Sequence, residues 1–513
     1  MKKRGPLLFS LNQNLKIKMK PSLDEFAKMG TGSEFIPIYR EFLADLETPV
    51  SVLRRFAEEK HVFLLESVEG GERFGRYSII GVNPYGIFTV EDGQAYLSAP
   101  GKPKEALGEK GKGFFALREL MKEAKALTYP GLPPLFGGAV GSLDYEIVGE
   151  FEKIPLREIK EDRPEALFML TREMIVFDTM KHTVMIVVSV RKNDHKDHES
   201  AYRYAEERIT AIRERMTAPL PPSELEPEIS RSEEIKLKSN MTKEDYCEAV
   251  EKAKELIAAG EVIQVVPAQK FSAPAPKNSF QIYRALRLIN PSPYLFFIKN
   301  GDRILIGSSP ETMVKLENGT AAIRPIAGTR PRGTDQKEDT LLADELLKDE
   351  KERAEHLMLV DLGRNDLGRL AMPGSVQVKS FMQVERYSHV MHLVSNIEAE
   401  LKPEYDAFDL VASSFPAGTL SGAPKIRAME IISELEPERR GAYGGAVGYF
   451  SSTGNMDLAI TIRTLEIKGG TLSFGVGAGV VADSVPENEY KETLNKAGAI
   501  MKALRFVSEG LSL

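Results

Sequence analysis

Apolar residues recur along this chain at two periods, and the change from one to the other marks its elements. After Thr242, the residues Tyr246, Ala249, Val250, Ala253 and Ile257 follow the 3.6-residue repeat of a helix. Thr242 and Asp245 have capping-box spacing at its start, and Gly260 stops it. A second helix is expected from Pro486, with Tyr490, Leu494, Ala497, Met501 and Leu504 on one stripe. Strong helix formers fill Leu341–Leu362 without Gly or Pro, which predicts one continuous helix. Gly113–Ala126 and the charged run His198–Met216 also read as helices. Short β-branched runs predict strands at Val62–Leu65, Ile79–Val82, Ile175–Asp178, Thr183–Val190, Val262–Val266 and Thr471–Val476. The unbroken apolar stretch Val184–Val190 suits a strand covered on both faces.

These elements do not alternate strand with helix, so a dinucleotide-binding sheet or a parallel barrel is not expected. The pattern favours an α+β fold with large antiparallel sheets flanked by helices. A stretch rich in Pro and Glu, Ala218–Glu228, reads as a stiff connector. We therefore expect a variable N-terminal extension (1–30), an N-terminal domain (31–217), a linker (218–235) and a C-terminal domain (236–513). A chain of 513 residues is long enough for such a division.

Composition narrows the function classes. A formal net charge of −7 offers no excess positive field for phosphates, which argues against a nucleic-acid partner. Cys247 is the only cysteine, so an intrachain disulfide and a cysteine metal site are excluded, and a reducing, cytoplasmic setting fits. Lys2, Lys3 and Arg4 resemble the start of a secretion signal, but the apolar run after them is only Leu7–Phe9. No stretch approaches the roughly 18 apolar residues of a membrane span, so no membrane association is expected.

The candidate chemistry lies in paired acids. On a helix, Glu352 and Glu355 would share a face, as would Glu489, Glu492 and Lys496. Four carboxylates from two helices could hold one hard cation, and oxygen ligands favour Mg²⁺. Either pair taken alone is more often a solvated surface.

The surrounding motifs change that balance. Ile306-Gly-Ser-Ser-Pro-Glu311, Pro325-Ile-Ala-Gly-Thr329, Glu352-Arg-Ala-Glu-His-Leu-Met-Leu-Val-Asp-Leu-Gly-Arg-Asn-Asp366, Phe415-Pro-Ala-Gly-Thr-Leu-Ser-Gly-Ala-Pro-Lys425 and Gly477-Ala-Gly-Val-Val-Ala-Asp-Ser-Val-Pro-Glu-Asn-Glu489 occur in order over about half the chain. This set resembles the chorismate-utilising enzymes. Within them, Gln264 stands where isochorismate- and salicylate-forming members carry a lysine base. Ala327 stands where aminodeoxychorismate-forming members carry lysine. Leu64-Leu65-Glu66-Ser67 and Asn290-Pro-Ser-Pro-Tyr-Leu-Phe-Phe297 resemble the tryptophan feedback site of anthranilate-forming members, the branch most similar overall.

The resemblance implies specific roles. Glu355 and Glu492 would ligate Mg²⁺, with Glu352 and Glu489 close by. Glu311 would be a general acid, which requires a raised pKa; His392 would assist proton removal, and Gln264 would occupy the base position without being able to act as a base. Arg463, Tyr443 and the backbone of Gly477, Ala478 and Gly479 would hold substrate carboxylate, with Gly328, Thr329 and Thr419 as further contacts and Lys496 balancing charge. Tryptophan would bind near Glu66, Ser67, Pro293, Tyr294 and Leu295. No glutaminase nucleophile is recognisable, since Cys247 sits within a helix pattern. Ammonia is therefore expected from a separate glutaminase subunit, in a heterotetramer of two large and two small subunits. The alternatives are a sibling forming aminodeoxychorismate or isochorismate, and a non-catalytic tryptophan-binding regulator. Gly477–Ala482 also fits G-x-G-x-x-A, but Asp483–Pro486 separates it from the next helix, which argues against a dinucleotide site.

Overall fold

The computed structural model describes residues 18–67, 75–157, 163–220, 235–387 and 390–511. Among them, the β-branched runs pair into two large sheets of eleven and twelve strands, antiparallel at every strand pairing. The first sheet runs from Phe35–Leu43 at one edge to Lys238–Ser239 at the other, and at its middle His61–Glu66 pairs with Tyr294–Asn300. The second runs from Ile326–Pro331 to Glu105–Leu107, with Gly138–Leu143 paired to Ala446–Ser451. Strands from both sides of the 218–235 connector thus hydrogen-bond to each other in both sheets. Of that connector, 221–234 lies outside the described residues, as do 1–17 of the N-terminal extension.

Strand alternation explains the layering. One face of each sheet points at the other sheet, where Phe63, Ile79, Val176 and Phe296 meet Val140, Met169, Val447 and Ala459. The opposite face of the first sheet packs on helices Leu23–Lys28, His198–Thr217, Ser279–Ile289 and Pro486–Ser508. That of the second packs on Gly113–Glu123, Glu350–Gly368, Ala407–Ser414 and Lys425–Leu435. Each fully buried Phe or Ile in these layers contributes about 1.5–3 kcal/mol by removal from water. Thr183–Arg191 lies between two such layers, which accounts for its continuous apolar run.

Several expected elements change in detail. The capping box forms, with Asp245 N–H donating to Thr242 at 3.1 Å and Thr242 N–H donating to Asp245 at 2.9 Å. The expected helix over 341–362 is two helices, Gln336–Lys348 and Glu350–Gly368. Asp349 breaks it by accepting from the amides of Lys351 and Glu352, so it serves as the cap of the second helix. Only Gln264–Val265 of the Val262–Val266 run is strand, paired with Gly422–Ala423. In the last helix Met501 is exposed, and Ile500 and Ala503 take its place in the core.

Four buried charges tie the layers together. Arg303 donates to Glu466 at 2.6 Å and to Asp144 at 2.5 Å; Arg163 donates to Asp144 at 3.0 Å and to Glu466 at 2.6 Å. Asp144 follows a strand of the second sheet, whereas Arg303 and Glu466 belong to the first. A buried pair is costly to break because the surviving ion is stranded. Arg303→Met is therefore expected to lower stability by about 3–5 kcal/mol. A urea melt followed by circular dichroism measures it, and a loss below about 1 kcal/mol would mean that Arg163 alone neutralises both acids.

Candidate active site

The chain changes sheets between Ser309 and Thr312, and it returns between Ile460 and Thr464. The two crossings lie side by side. Ser309 Oγ donates to the Ile460 carbonyl at 2.6 Å, and Ile460 N–H donates to the Glu311 carbonyl at 3.0 Å. A register shift between Thr312 and Val314 absorbs the bend. Glu311 and Arg463 occupy these crossings, and Arg463 adopts a left-handed backbone (φ 49°), which non-glycine residues hold only where surrounding structure enforces it.

Glu311 is 8% exposed. Burial pushes its carboxyl up to about 8, and the Thr419 hydroxyl and the charges of Arg463 and Lys496 pull less strongly the other way. It is therefore mostly protonated at neutral pH, as a general acid requires. A small cavity of about 30 Å³ beside it is lined also by Leu362, Asp366, Gly418 and Thr419, which puts the Glu350–Gly368 helix and the Thr419 turn next to the acid.

His392 lies on the strand Val390–Glu400 and is 7% exposed. Its Nδ1 is 3.1 Å from the Gly328 carbonyl and 3.0 Å from the Thr329 hydroxyl. A carbonyl only accepts, so Nδ1 carries the proton and Nε2 keeps its lone pair. Burial lowers the pKa, and the Arg463 charge adds to that, so the ring is neutral. Arg463 thus acts on both Glu311 and His392. His389 lies outside the described residues.

The acid pairs divide their roles. Glu355 has an exposed side chain although protein surrounds it, as on the wall of an open cleft. Burial raises its pKa, and the neighbouring charges of Glu352 and Glu492 raise it further while Lys496 opposes them. Glu489 is buried, and its pKa is raised chiefly by burial and then by Glu492. It therefore leaves the solvated face that helical spacing assigned to it. Glu492 pairs with Lys496 at 2.8 Å, and Lys496 also donates to the Gly477 carbonyl at 3.1 Å. Glu352 is instead ion-paired to Arg330 at 3.1 Å. Among the described residues, no three His, Cys, Asp or Glu side chains are gathered closely enough to hold a metal by themselves. The donors nevertheless suit Mg²⁺: they are all oxygens, carry excess negative charge, and Mg²⁺ commonly takes only one or two protein carboxylates alongside substrate and water.

The remaining candidates gather around the end of the strand Thr471–Gly477. Tyr443 packs against the end of the strand Thr471–Gly477, and a Cβ on Gly477 would come within 2.8 Å of its hydroxyl. A Cβ on Gly479 would come within 2.4 Å of Gln264 Nε2, so a side chain there would displace the Gln264 amide. Gln264 is 4% exposed and its Oε1 has no hydrogen-bond partner among the described residues. The Ala478 amide already donates to the Pro267 carbonyl at 3.3 Å, which removes it from the expected carboxylate donors.

The remote set separates. Glu66 and Leu295 are opposite each other and face the helical layer. Glu66 accepts from Arg287 Nε at 2.9 Å and from the Tyr283 hydroxyl. Ser67 follows at the strand end, and Pro293 is buried in the turn. Tyr294 points the other way, between the sheets, where its hydroxyl meets Thr312 at 2.8 Å and Asp457 at 3.0 Å. Its side chain therefore does not join Glu66, because neighbouring strand residues face opposite sides. Tyr283, Arg287 and Arg330 carried no local sequence signal. Each is identified by a partner more than twenty residues away.

Comparison with known proteins identifies the family. A family model described as chorismate binding enzyme matches residues 60–502. Anthranilate synthase component 1 of Acetivibrio thermocellus is 45% identical over 496 residues, covering 95% of this chain and 99% of the relative. The crystal structure of anthranilate synthase component I from Streptococcus pneumoniae TIGR4 superposes with a TM-score of 0.75 at 35% identity, covering 90% of this chain and 99% of that one. The isochorismate synthase MenF of Escherichia coli shares the fold, with a TM-score of 0.66 at 20% identity over 94% of this chain and 98% of that one.

The Glu311 environment has a measurable consequence. A carboxyl whose folded pKa is raised stabilises the fold below its unfolded pKa of about 4.5, and that contribution is lost as pH rises through about 8. Glu311→Gln removes the loss. Between pH 6 and 9 the variant should gain roughly 2–3 kcal/mol on the unaltered protein. Thermal melts across that window test it, and parallel curves would mean that Glu311 ionises normally.

Proposed function

The chain belongs to the chorismate-binding enzymes, and from that premise we propose that it is the chorismate-converting component of an anthranilate synthase. Chorismate and ammonia would give anthranilate, pyruvate and water. The observation that carries this reading is a buried carboxyl, Glu311, kept protonated, which feels the same Arg463 charge as the neutral His392. The likeness over nearly the full length to anthranilate synthase component 1 supports the choice of product.

In this reading ammonia forms a bond to the ring as the ring hydroxyl departs. Glu311 gives that hydroxyl its proton, so it leaves as water. Aromatisation then breaks the ring C–O bond to the enolpyruvyl side chain; His392 Nε2 would take the ring proton, and the released enolate takes up a proton to become pyruvate. Arg463 offers a bidentate fork for the side-chain carboxylate, with Tyr443 and the Gly477 and Gly479 backbone beside it. Gly328, Thr329 and Thr419 complete the walls. Gln264, an amide, cannot deprotonate water, which favours ammonia as nucleophile. Glu355 and Glu492 would hold Mg²⁺, with Glu352 and Glu489 near. When bound, the ion supplies Lewis-acid polarisation of the ring carboxylate.

Ammonia would come from a partner. Cys247 is half-buried in the helix Lys243–Ala258, and burial raises its thiol pKa, the opposite of an activated nucleophile. The relatives are named component 1, which implies a second component; a glutaminase in a heterotetramer of two large and two small subunits fits. No described helix is long and apolar enough to cross a membrane, and a cytoplasmic location is our reading. Tryptophan would bind near Glu66, Ser67, Pro293 and Leu295 as feedback inhibitor, and Arg287 and Tyr283 already hold the Glu66 carboxylate in place.

Three outcomes follow. With chorismate, Mg²⁺ and ammonium, the purified chain should produce fluorescent anthranilate, and with glutamine alone it should not. Glu355→Gln and Glu492→Gln should each raise the Mg²⁺ concentration for half-maximal rate at least tenfold; an unchanged requirement would remove these residues from the metal site. Ser67→Arg should abolish inhibition by tryptophan while leaving the uninhibited rate within about twofold. Inhibition persisting at full strength would place the effector elsewhere.

A further inference from the structure

One side chain that takes no part in the proposed chemistry touches three segments that do. Arg440 is 6% exposed and lies four residues after its counter-ion Glu436, with Nη2 donating to Glu436 at 2.6 Å. Its other donors reach backbone. Nη1 donates to the Leu420 carbonyl at 2.6 Å, one residue past Thr419. Nη2 also donates to the Val266 carbonyl at 2.6 Å, two residues past Gln264. The guanidinium plane lies over the Tyr145 ring at 4.7 Å and the Tyr443 ring at 5.5 Å. Glu436 extends the contact by accepting from the Ala268 amide at 2.9 Å, in the strand beside Gly477. The Arg440 and Gly441 amides are themselves held by Glu146 at 2.8 and 3.1 Å.

A buried cation is expensive unless its donors are satisfied, and here two of its bonds go to carbonyls on either side of the small Gln264–Val265 and Gly422–Ala423 ladder. We infer that Arg440 is a positioning residue: it fixes the spacing of the Gln264 strand, the Thr419 turn and the Tyr443 ring, and so shapes the end of the site that takes the substrate's side-chain carboxylate. This rests on the proposed chorismate chemistry only for its kinetic consequences; the clamp itself is a geometric claim. Arginine is required because lysine keeps the charge for Glu436 but lacks the planar fork that reaches both carbonyls and stacks on both rings.

The test compares Arg440→Lys with Arg303→Lys, an equally buried cation six residues along its strand from Ser309. Glu436→Gln, which keeps an acceptor for Ala268, serves if Arg440→Lys does not fold. In hydrogen exchange of the full chain, the clamp requires that peptides covering 262–268, 416–424 and 441–446 lose protection together in Arg440→Lys or Glu436→Gln, but not in Arg303→Lys. With chorismate, Mg²⁺ and ammonium, KM for chorismate should rise at least tenfold. The alkaline limb of kcat/KM, near 8 from Glu311, should move upward as the Thr419 turn shifts away from the cavity it shares with Glu311, and it should stay in place in Arg303→Lys. Unchanged exchange in the three segments, or equal changes in Arg303→Lys, overturns the inference. No anthranilate from the unaltered chain would overturn the functional reading instead, and the exchange comparison would still decide the clamp.

Discussion

The site depends on two strands changing sheets at the same place. Sheet hydrogen bonding is nearly complete on both sides of the crossings, so the short segments between have little freedom. The bonds from Ser309 to Ile460 and from Ile460 to Glu311 fasten one crossing to the other. An acid at the first and an arginine at the second are thereby held near each other at the sandwich end. Both sheets must be continuous for this to work. That continuity comes from chain segments on opposite sides of the connector, so the N-terminal half, which holds none of the proposed catalytic groups, is needed to build the sheets that fix them.

Burial then sets the chemistry. The same desolvation that keeps Glu311 protonated keeps His392 neutral, because both shifts disfavour the charged form. Nearer solvent the sign of the problem reverses. Glu352, Glu355 and Glu492, with Glu489 buried behind them, bring more negative charge than Arg330 and Lys496 cancel, an excess that the proposed divalent cation would offset. Deeper still, Arg303, Arg163 and Arg440 are ion-paired, and their role is to hold backbone and acids in register.

Much of this was readable along the chain, but only where a local rule applied. The capping box at Thr242, the buried run of Thr183–Arg191 and the proline-started last helix each follow from neighbours in sequence, and each formed. The paired-acid spacing was also legible, although Asp349 capped a new helix inside what propensity alone read as one. Glu489 and Tyr294 went differently. Helical spacing put Glu489 with Glu492, and the packing of the last helix buried it. Adjacency put Tyr294 with Leu295, and strand alternation sent their side chains to opposite sides.

The sequence by itself determined the α+β class, the helix and strand periods, and the ordered motifs that carry the chemistry, since these are properties of neighbouring residues. Tertiary structure alone decided which motifs meet. Glu311 faces Arg463, Glu66 is held by Arg287, and Arg440 spans Leu420 and Val266 because strands paired across 140 or more residues in sequence bring them together. No local propensity encodes such pairings: they are fixed by which apolar faces bury each other, and a pKa follows only after that burial exists.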